Sequence, residues 1–216
     1  MAVNRNNLEK IVKQCAEKEA LLVAVTKFQS LEDMQVLYDL GIRDFGENKV
    51  QEIIRKAPLF PNDIRWHMIG HLQSNKVAAL LPYVYRIHGV DSISLLKEIE
   101  KQATKQNKIV NALLQFHIAD EETKFGFDSE KAMELYSEIS SLSLNNTKID
   151  GVMGLATFTN DKKQIATEFD VLKATFEQLI ASYSNFKEIS MGMSGDYELA
   201  LEKGSTMLRV GSLLFE

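Results

Sequence analysis

The feature that most restricts this fold is a repeating alternation. A short β-branched or aromatic run, a turn or cap, and a charged stretch of helical period follow one another along the whole chain. The apolar runs predict strands at Leu21 to Lys27, Arg43 to Glu47, Arg65 to Gly70, Val84 to Val90, Ala112 to Ile118, Gly151 to Ala156, Glu188 to Met191 and Thr206 to Gly211. The amphipathic stretches predict helices at Leu31 to Leu40, Lys49 to Ala57, Ile93 to Gln106, Ser129 to Ser140, Lys162 to Ser182 and Gly195 to Lys203, with another, Asn7 to Glu19, ahead of the first strand. Parallel neighbours need crossover connections, so this alternation calls for a parallel sheet covered by helices. Eight such units predict closure into a single (βα)8 TIM-type barrel with an extra N-terminal helix. The alternative is an open doubly wound sheet, but that fold carries a Gly-rich dinucleotide fingerprint after its first strand, and none stands here.

Composition narrows the partners. With no Gly/Ser-rich or Pro-rich tract to serve as a linker, residues 1–216 are expected to form one domain. A hydrophobic share of 45% and a charged share of 25% belong to a folded globular chain. A formal charge of −5 has the wrong sign for neutralising nucleic-acid phosphates, so nucleic acid is not expected as a partner. The polar N-terminus has no secretory core, and no run of about 18 to 20 apolar residues is long enough to span a bilayer. A cytoplasmic protein is the expectation, and the single Cys15, which has no partner thiol, fits a reducing compartment and a packing role.

Barrel sites lie at the C-terminal ends of the strands, and phosphate commonly binds in the loops after strands seven and eight. The first predicted strand ends at Lys27, which shares a face with Val25 and Val23. If that face is the interior, apolar surroundings lower the lysine pKa and prepare an amine that attacks a carbonyl. A lysine that merely caps the strand and reaches water is the plainer alternative. Strand seven runs into Met191-Gly192-Met193-Ser194-Gly195-Asp196, where Ser194 is either an ordinary N-cap or part of an anion site. Strand eight brings Gly211 and Ser212 to the same end, and the two small-residue turns together are more specific than either alone. Arg209 shares the face of Gly211, so it either makes a buried ion pair or donates to a heteroaromatic ring nitrogen, since a guanidinium has only donors to offer.

Other strand ends supply Gly46-Glu47-Asn48 and Gly70-His71, which are helix caps or site residues. His67 and His71 have the spacing of a helical metal pair, but on a strand it separates them by roughly 13 Å, and no third ligand is placed, so no metal site is expected. His88 and His117 read as isolated strand histidines in the core, and Met153 as inward packing with Gly151 and Leu155.

With these residues in place, the chain resembles the pyridoxal phosphate homeostasis protein family, itself similar to the N-terminal barrel of alanine racemase. The resemblance runs from Leu21 through Phe215. It is carried by Ala24-Val25-Thr26-Lys27, Phe45-Gly46-Glu47-Asn48, Trp66-His67-Met68-Ile69-Gly70, Leu72-Gln73-Ser74-Asn75-Lys76, Met191 to Asp196 and Arg209-Val210-Gly211-Ser212. It implies a fold type III barrel holding pyridoxal 5′-phosphate (PLP) as an internal aldimine on Lys27. Ser194, Gly211 and Ser212 would hold the phosphate, Arg209 would face the pyridine nitrogen, and Asn48, His71 and Met153 would lie around the ring. One departure is local: the family often has Ser before the lysine and Thr-Lys-Pro after it, whereas Thr26 precedes Lys27 here and Phe28-Gln29-Ser30 follow. Ser30 can still cap the next helix.

The sequence ends just after strand eight, so the second domain through which racemases supply an opposite-face acid/base is not expected, and two-base racemisation needs a group on each face. The expected role is a monomeric carrier or regulator of PLP and amino-acid pools, with PLP-dependent apoenzymes as candidate partners. The alternatives are a weak amino-acid racemase and a Schiff-base aldolase acting on a sugar phosphate, although period two places no inward carboxylate beside Lys27.

Overall fold

The computed structural model describes residues 2–121, 125–183 and 185–215, so the two ends of the expected domain, Met1 and Glu216, lie outside the described residues. The alternating pattern closes as predicted. Strands β1 (Leu21–Val25), β2 (Asp44–Glu47), β3 (Arg65–Met68), β4 (Val84–Val90), β5 (Val110–His117), β6 (Thr147–Gly154), β7 (Glu188–Ser190) and β8 (Met207–Val210) pair in parallel with their neighbours, and β8 returns to β1. A two-residue strand, Phe127–Asp128, adds to the end of β5 outside the barrel.

Helices α1 (Arg5–Glu17), α2 (Leu31–Asp39), α3 (Val50–Lys56), α4 (Val77–Leu80), α5 (Ile93–Lys105), α6 (Ala132–Ser140), α7 (Lys162–Ile180) and α8 (Tyr197–Glu202) accompany the strands. Local chemistry sets their starts: the Ser30 hydroxyl accepts the Asp33 N–H, Ser92 that of Leu95, and Asp161 those of Lys163 and Gln164. Four residues are too few to show helical period, which is why α4 has no sequence signature. Among the described residues no helix is long and apolar enough to cross a membrane.

Two interiors result from the alternation of side chains across each strand. Between strands and helices lies an apolar shell. Phe45 packs on Trp66 and Phe60 with ring centroids 6.0 and 6.4 Å apart, and Phe116, Phe169 and Leu172 are equally enclosed. Helix α1 joins this shell through Leu8, Ile11 and Cys15, and burial pushes the Cys15 thiol up to about 11, as an inert packing residue requires. The bore inside the strands is different. Val23, Leu113, Met153 and Met207 share it with Asp44, His67, Arg86, His88, Asp150, Ser190 and Arg209, all of them buried.

Ions floor the bore at the N-terminal ends of the strands. Arg65 Nε donates to Asp44 Oδ1 at 2.7 Å and Arg86 Nη2 to Asp150 Oδ2 at 2.5 Å, with Glu188 Oε1 3.4 Å from Arg86 Nη1. Burial pushes the Asp150 carboxyl above the usual range despite Arg86. Burial pushes Asp44 the same way, but hydrogen bonds from His67 and Arg65 more than offset it and hold Asp44 low.

Candidate functional site

At the opposite end, where the strands finish, the barrel opens into a cavity of about 730 Å³. Its walls are Lys27 and Val25 from the end of β1, Asn48 after β2, Ile69 after β3, the segment Leu155 to Asn160 after β6, the turn at Ser194 and Gly195 after β7, and Arg209, Gly211 and Ser212 on and after β8. Six of the residues singled out from sequence, Lys27, Asn48, Ser194, Arg209, Gly211 and Ser212, therefore face one space.

Lys27 departs from its expected setting. β1 ends at Val25, and Lys27 stands exposed in a turn closed by the Gln29 N–H on the Thr26 carbonyl, with Phe28 at a left-handed φ of 68°. Two residues beyond the last strand pair, the side chain has passed the packed layers of the bore and projects at the cavity rim. The turn is braced from beneath by a buried group the sequence did not mark. Lys56 Nζ donates to the Thr26 carbonyl at 2.9 Å and to Glu47 Oε1 at 2.7 Å, and the Thr26 hydroxyl donates to the same Glu47 oxygen at 2.7 Å. Glu47 is thus an ion-pair partner in the shell and not a helix cap.

Ser194 is also placed differently from an N-cap. Asp196 takes the cap position of α8, and the Ser194 hydroxyl accepts the Gly211 N–H at 3.2 Å, tying the turn after β7 to the turn after β8. A Cβ on Gly195 would meet nothing within 4 Å, so that turn presents backbone to open space. Arg209 is buried, and its partners are neutral: Nη1 donates to Ser190 Oγ at 2.5 Å and Nη2 to the Gly154 carbonyl at 2.9 Å. Burial draws its pKa down to about 10, against the pull of Asp196, which leaves it cationic at neutral pH.

Two expected members lie off the cavity wall. Met153 pairs in register with Ser190 and fills the bore, two residues below Leu155, which does reach the cavity. His71 is turned outward, 2.9 Å from Asp91 Oδ2 and stacked on Phe125 with centroids 4.2 Å apart. His67, weighed with His71 as a metal pair, points instead into the bore. The wall from Leu155 to Asn160 is an addition to the sequence-derived set. It is held by Glu168, which accepts the Thr157 N–H and hydroxyl at 2.6 Å each.

An amine at one rim, two linked turns of hydroxyls and backbone amides, and a guanidinium on the cavity floor bring a set of hydrogen-bond donors suited to an anion to one space. The barrel is of the class described by the family model "Alanine racemase, N-terminal domain", which matches residues 3–216. The chain belongs to the pyridoxal phosphate homeostasis protein family. It is 41% identical over 197 residues to the Helicobacter pylori (strain ATCC 700392 / 26695) pyridoxal phosphate homeostasis protein, covering 90% of this chain and 86% of that one. The Aquifex aeolicus protein of the same name is 35% identical over 215 residues, 96% and 93% of the two chains. The solved structure of PipY from Synechococcus elongatus PCC7942 with PLP bound superposes with a TM-score of 0.86 at 30% identity, covering 98% of this chain and 99% of that one. The alanine racemase of Clostridium difficile 630 shares the fold, with a TM-score of 0.80 at 13% identity over 99% of this chain and 60% of its own.

Proposed function

We propose that the cavity holds PLP for intracellular PLP homeostasis, with Lys27 Nζ condensing with the aldehyde and releasing water. The observation that carries this reading is the convergence of Lys27, the tied Ser194 and Gly211 turns and Arg209 on one cavity, in a relative of a protein solved with PLP bound. Backbone N–H groups around Gly195 and Ser212 and the two serine hydroxyls receive the phosphate, and Asn48 flanks the ring. Arg209 donates to the pyridine nitrogen and leaves it unprotonated. When bound, PLP supplies an electron sink for amino-acid chemistry, which this environment weakens.

The chain acts as a carrier or regulator and not as a dedicated catalyst. Among the described cavity residues, the proton-transfer groups other than the always-charged Arg209 are Lys27 and Asp196, and Asp196 Oδ1 already accepts the Met193 N–H at 2.5 Å. Handover to PLP-dependent apoenzymes fits a lysine at an exposed rim.

The test is PLP titration followed by the visible absorption spectrum, borohydride reduction and peptide mapping. We expect one PLP per chain, trapped on the peptide containing Lys27 and absent in Lys27→Ala. Ser194→Ala with Ser212→Ala should weaken retention, each lost donor to the phosphate being worth about 1.5 to 3 kcal/mol. A full adduct on another lysine sinks the assignment. Multiple-turnover formation of D-amino acid with α-deuterium in deuterated water would replace the carrier by a racemase.

A further inference from the structure

A single file of buried polar groups threads the bore from Arg209 to the floor. Arg209 Nη1 is 2.5 Å from Ser190 Oγ, and Ser190 Oγ is 3.0 Å from His88 Nδ1. His88 Nε2 is 2.8 Å from His67 Nδ1, and His67 Nε2 is 3.0 Å from Asp44 Oδ1, which also accepts from Arg65 Nε. β8, β7, β4, β3 and β2 contribute one residue each, so the file exists only because the barrel brings five strands together.

The two ends are chemically unlike, and with both imidazoles neutral the carboxylate end decides every hydrogen between them. A guanidinium only donates and a carboxylate only accepts. Arg209 therefore gives a hydrogen to Ser190 Oγ, and because Asp44, through a neutral His67, leaves His88 Nδ1 as an acceptor, the serine hydrogen goes on to His88 Nδ1. With Nδ1 accepting, His88 carries its proton on Nε2 and gives it to His67 Nδ1, which leaves His67 protonated on Nε2 and donating to Asp44. Both rings are neutral, because each lies fully buried in the bore, where the charged form of an imidazole is disfavoured. The surrounding charges agree. Burial holds both histidines below the usual value, with Arg86 and Arg65 adding to it at His67 against Asp44, and His67, Arg209 and Arg86 adding to it at His88.

We propose that Ser190, His88, His67 and Asp44 form a one-directional hydrogen-bond relay that positions Arg209 for the ligand ring. All its hydrogens point toward Asp44, so each bond polarises the next and makes Ser190 Oγ a stronger acceptor for the guanidinium. The four are positioning residues, and their role rests on the reading that the cavity holds PLP with its ring nitrogen on Arg209.

The test has two readouts. In 15N-histidine-labelled protein without added PLP, long-range proton–nitrogen correlation should show His67 and His88 as neutral rings protonated on Nε2 between pH 6 and 8. An Nδ1–H tautomer or an imidazolium at either residue overturns the relay. In protein loaded with PLP labelled with 15N at the pyridine nitrogen, Ser190→Ala should move that resonance and weaken retention about tenfold. His88→Gln offers an amide oxygen to Ser190 and an amide N–H to His67, so it should stay near wild type, whereas His88→Leu should behave like Ser190→Ala. If Leu and Gln leave the pyridine resonance in the same place, His88 is packing and the relay is wrong. A wild type that binds no PLP sinks the binding reading, while the relay still stands or falls on its imidazole tautomers.

Discussion

Outside its strands the barrel is packed with hydrocarbon and aromatic rings, and inside them with ions, imidazoles and hydroxyls. The shell obeys the ordinary economy of burial, at about 25 cal/mol for each Å² of apolar surface removed from water. The bore departs from it, since every polar group enclosed there needs a partner to offset the loss of water. Asp150 Oδ1 and Arg86 Nε on the floor have none among the described residues, so part of that offset is missing. The contrast separates two tasks: the shell holds the fold closed, and the bore sets the charges and directions that reach Arg209.

One group crosses the division, and removing it should have the largest effect on stability. Lys56 and Glu47 form a fully buried ion pair in the apolar shell, directly under the turn that carries Lys27. Lys56→Met strands a buried carboxylate and should cost about 3 to 5 kcal/mol. The double change Glu47→Gln with Lys56→Met removes both charges and should recover most of that loss in urea melts. A single variant as stable as wild type would show that the shell tolerates charge and that the contrast is overdrawn.

How far the molecule was legible in advance follows the same division. The shell was readable because its residues recur at fixed spacing along one strand or helix, and each of the eight predicted strands has a counterpart in the barrel. Boundaries moved where tertiary pairing overrode local pattern, as at β6, which starts at Thr147 and not Gly151. The bore was not readable in this way. Period two says that His67 and His88 point inward, but not that they meet, because the contact depends on which strands lie side by side and at what register. Spacing therefore sets His67 beside His71, its neighbour along the chain, and leaves His88 solitary. Lys27, Arg209 and the two small-residue turns were legible because strand ends are fixed points of this fold. Leu155 to Asn160 lies at another such end, but it has no residue type that marks a site.

The two bore carboxylates should respond to pH in opposite senses. Asp44 is held low in the folded chain, so its contribution to stability is full above the ordinary Asp value near 3.8 and is lost as pH falls through the lower folded value. Asp150 is held high by burial, so it acts in the opposite sense: acidification through its raised folded value relieves a cost present at neutral pH. Asp44→Asn should lower stability at pH 7 and flatten the loss seen below about pH 4, as read from urea midpoints across that range. An acid limb of unchanged steepness would place its origin in carboxylates outside the bore.

The smallest expected effect lies at the rim, which belongs to neither interior. Phe28 is 81% exposed, yet it sits at a φ of 68°, a region that costs a residue with a side chain about 1 to 2 kcal/mol. Its ring has little burial to offset that cost, so the surrounding bonds hold the turn: the Gln29 N–H on the Thr26 carbonyl, and Lys56 on the same oxygen. Phe28→Gly removes the left-handed penalty but adds freedom to the unfolded chain, leaving a net gain of about 0.5 kcal/mol. The substitution also softens the link between Lys27 and the braced Thr26, so the folded chain should gain slightly in urea while PLP attaches to Lys27 more slowly. Faster attachment would mean that the strained turn hinders the lysine. A loss of stability beyond 1 kcal/mol would mean that the exposed ring packs on the rim and belongs with the shell.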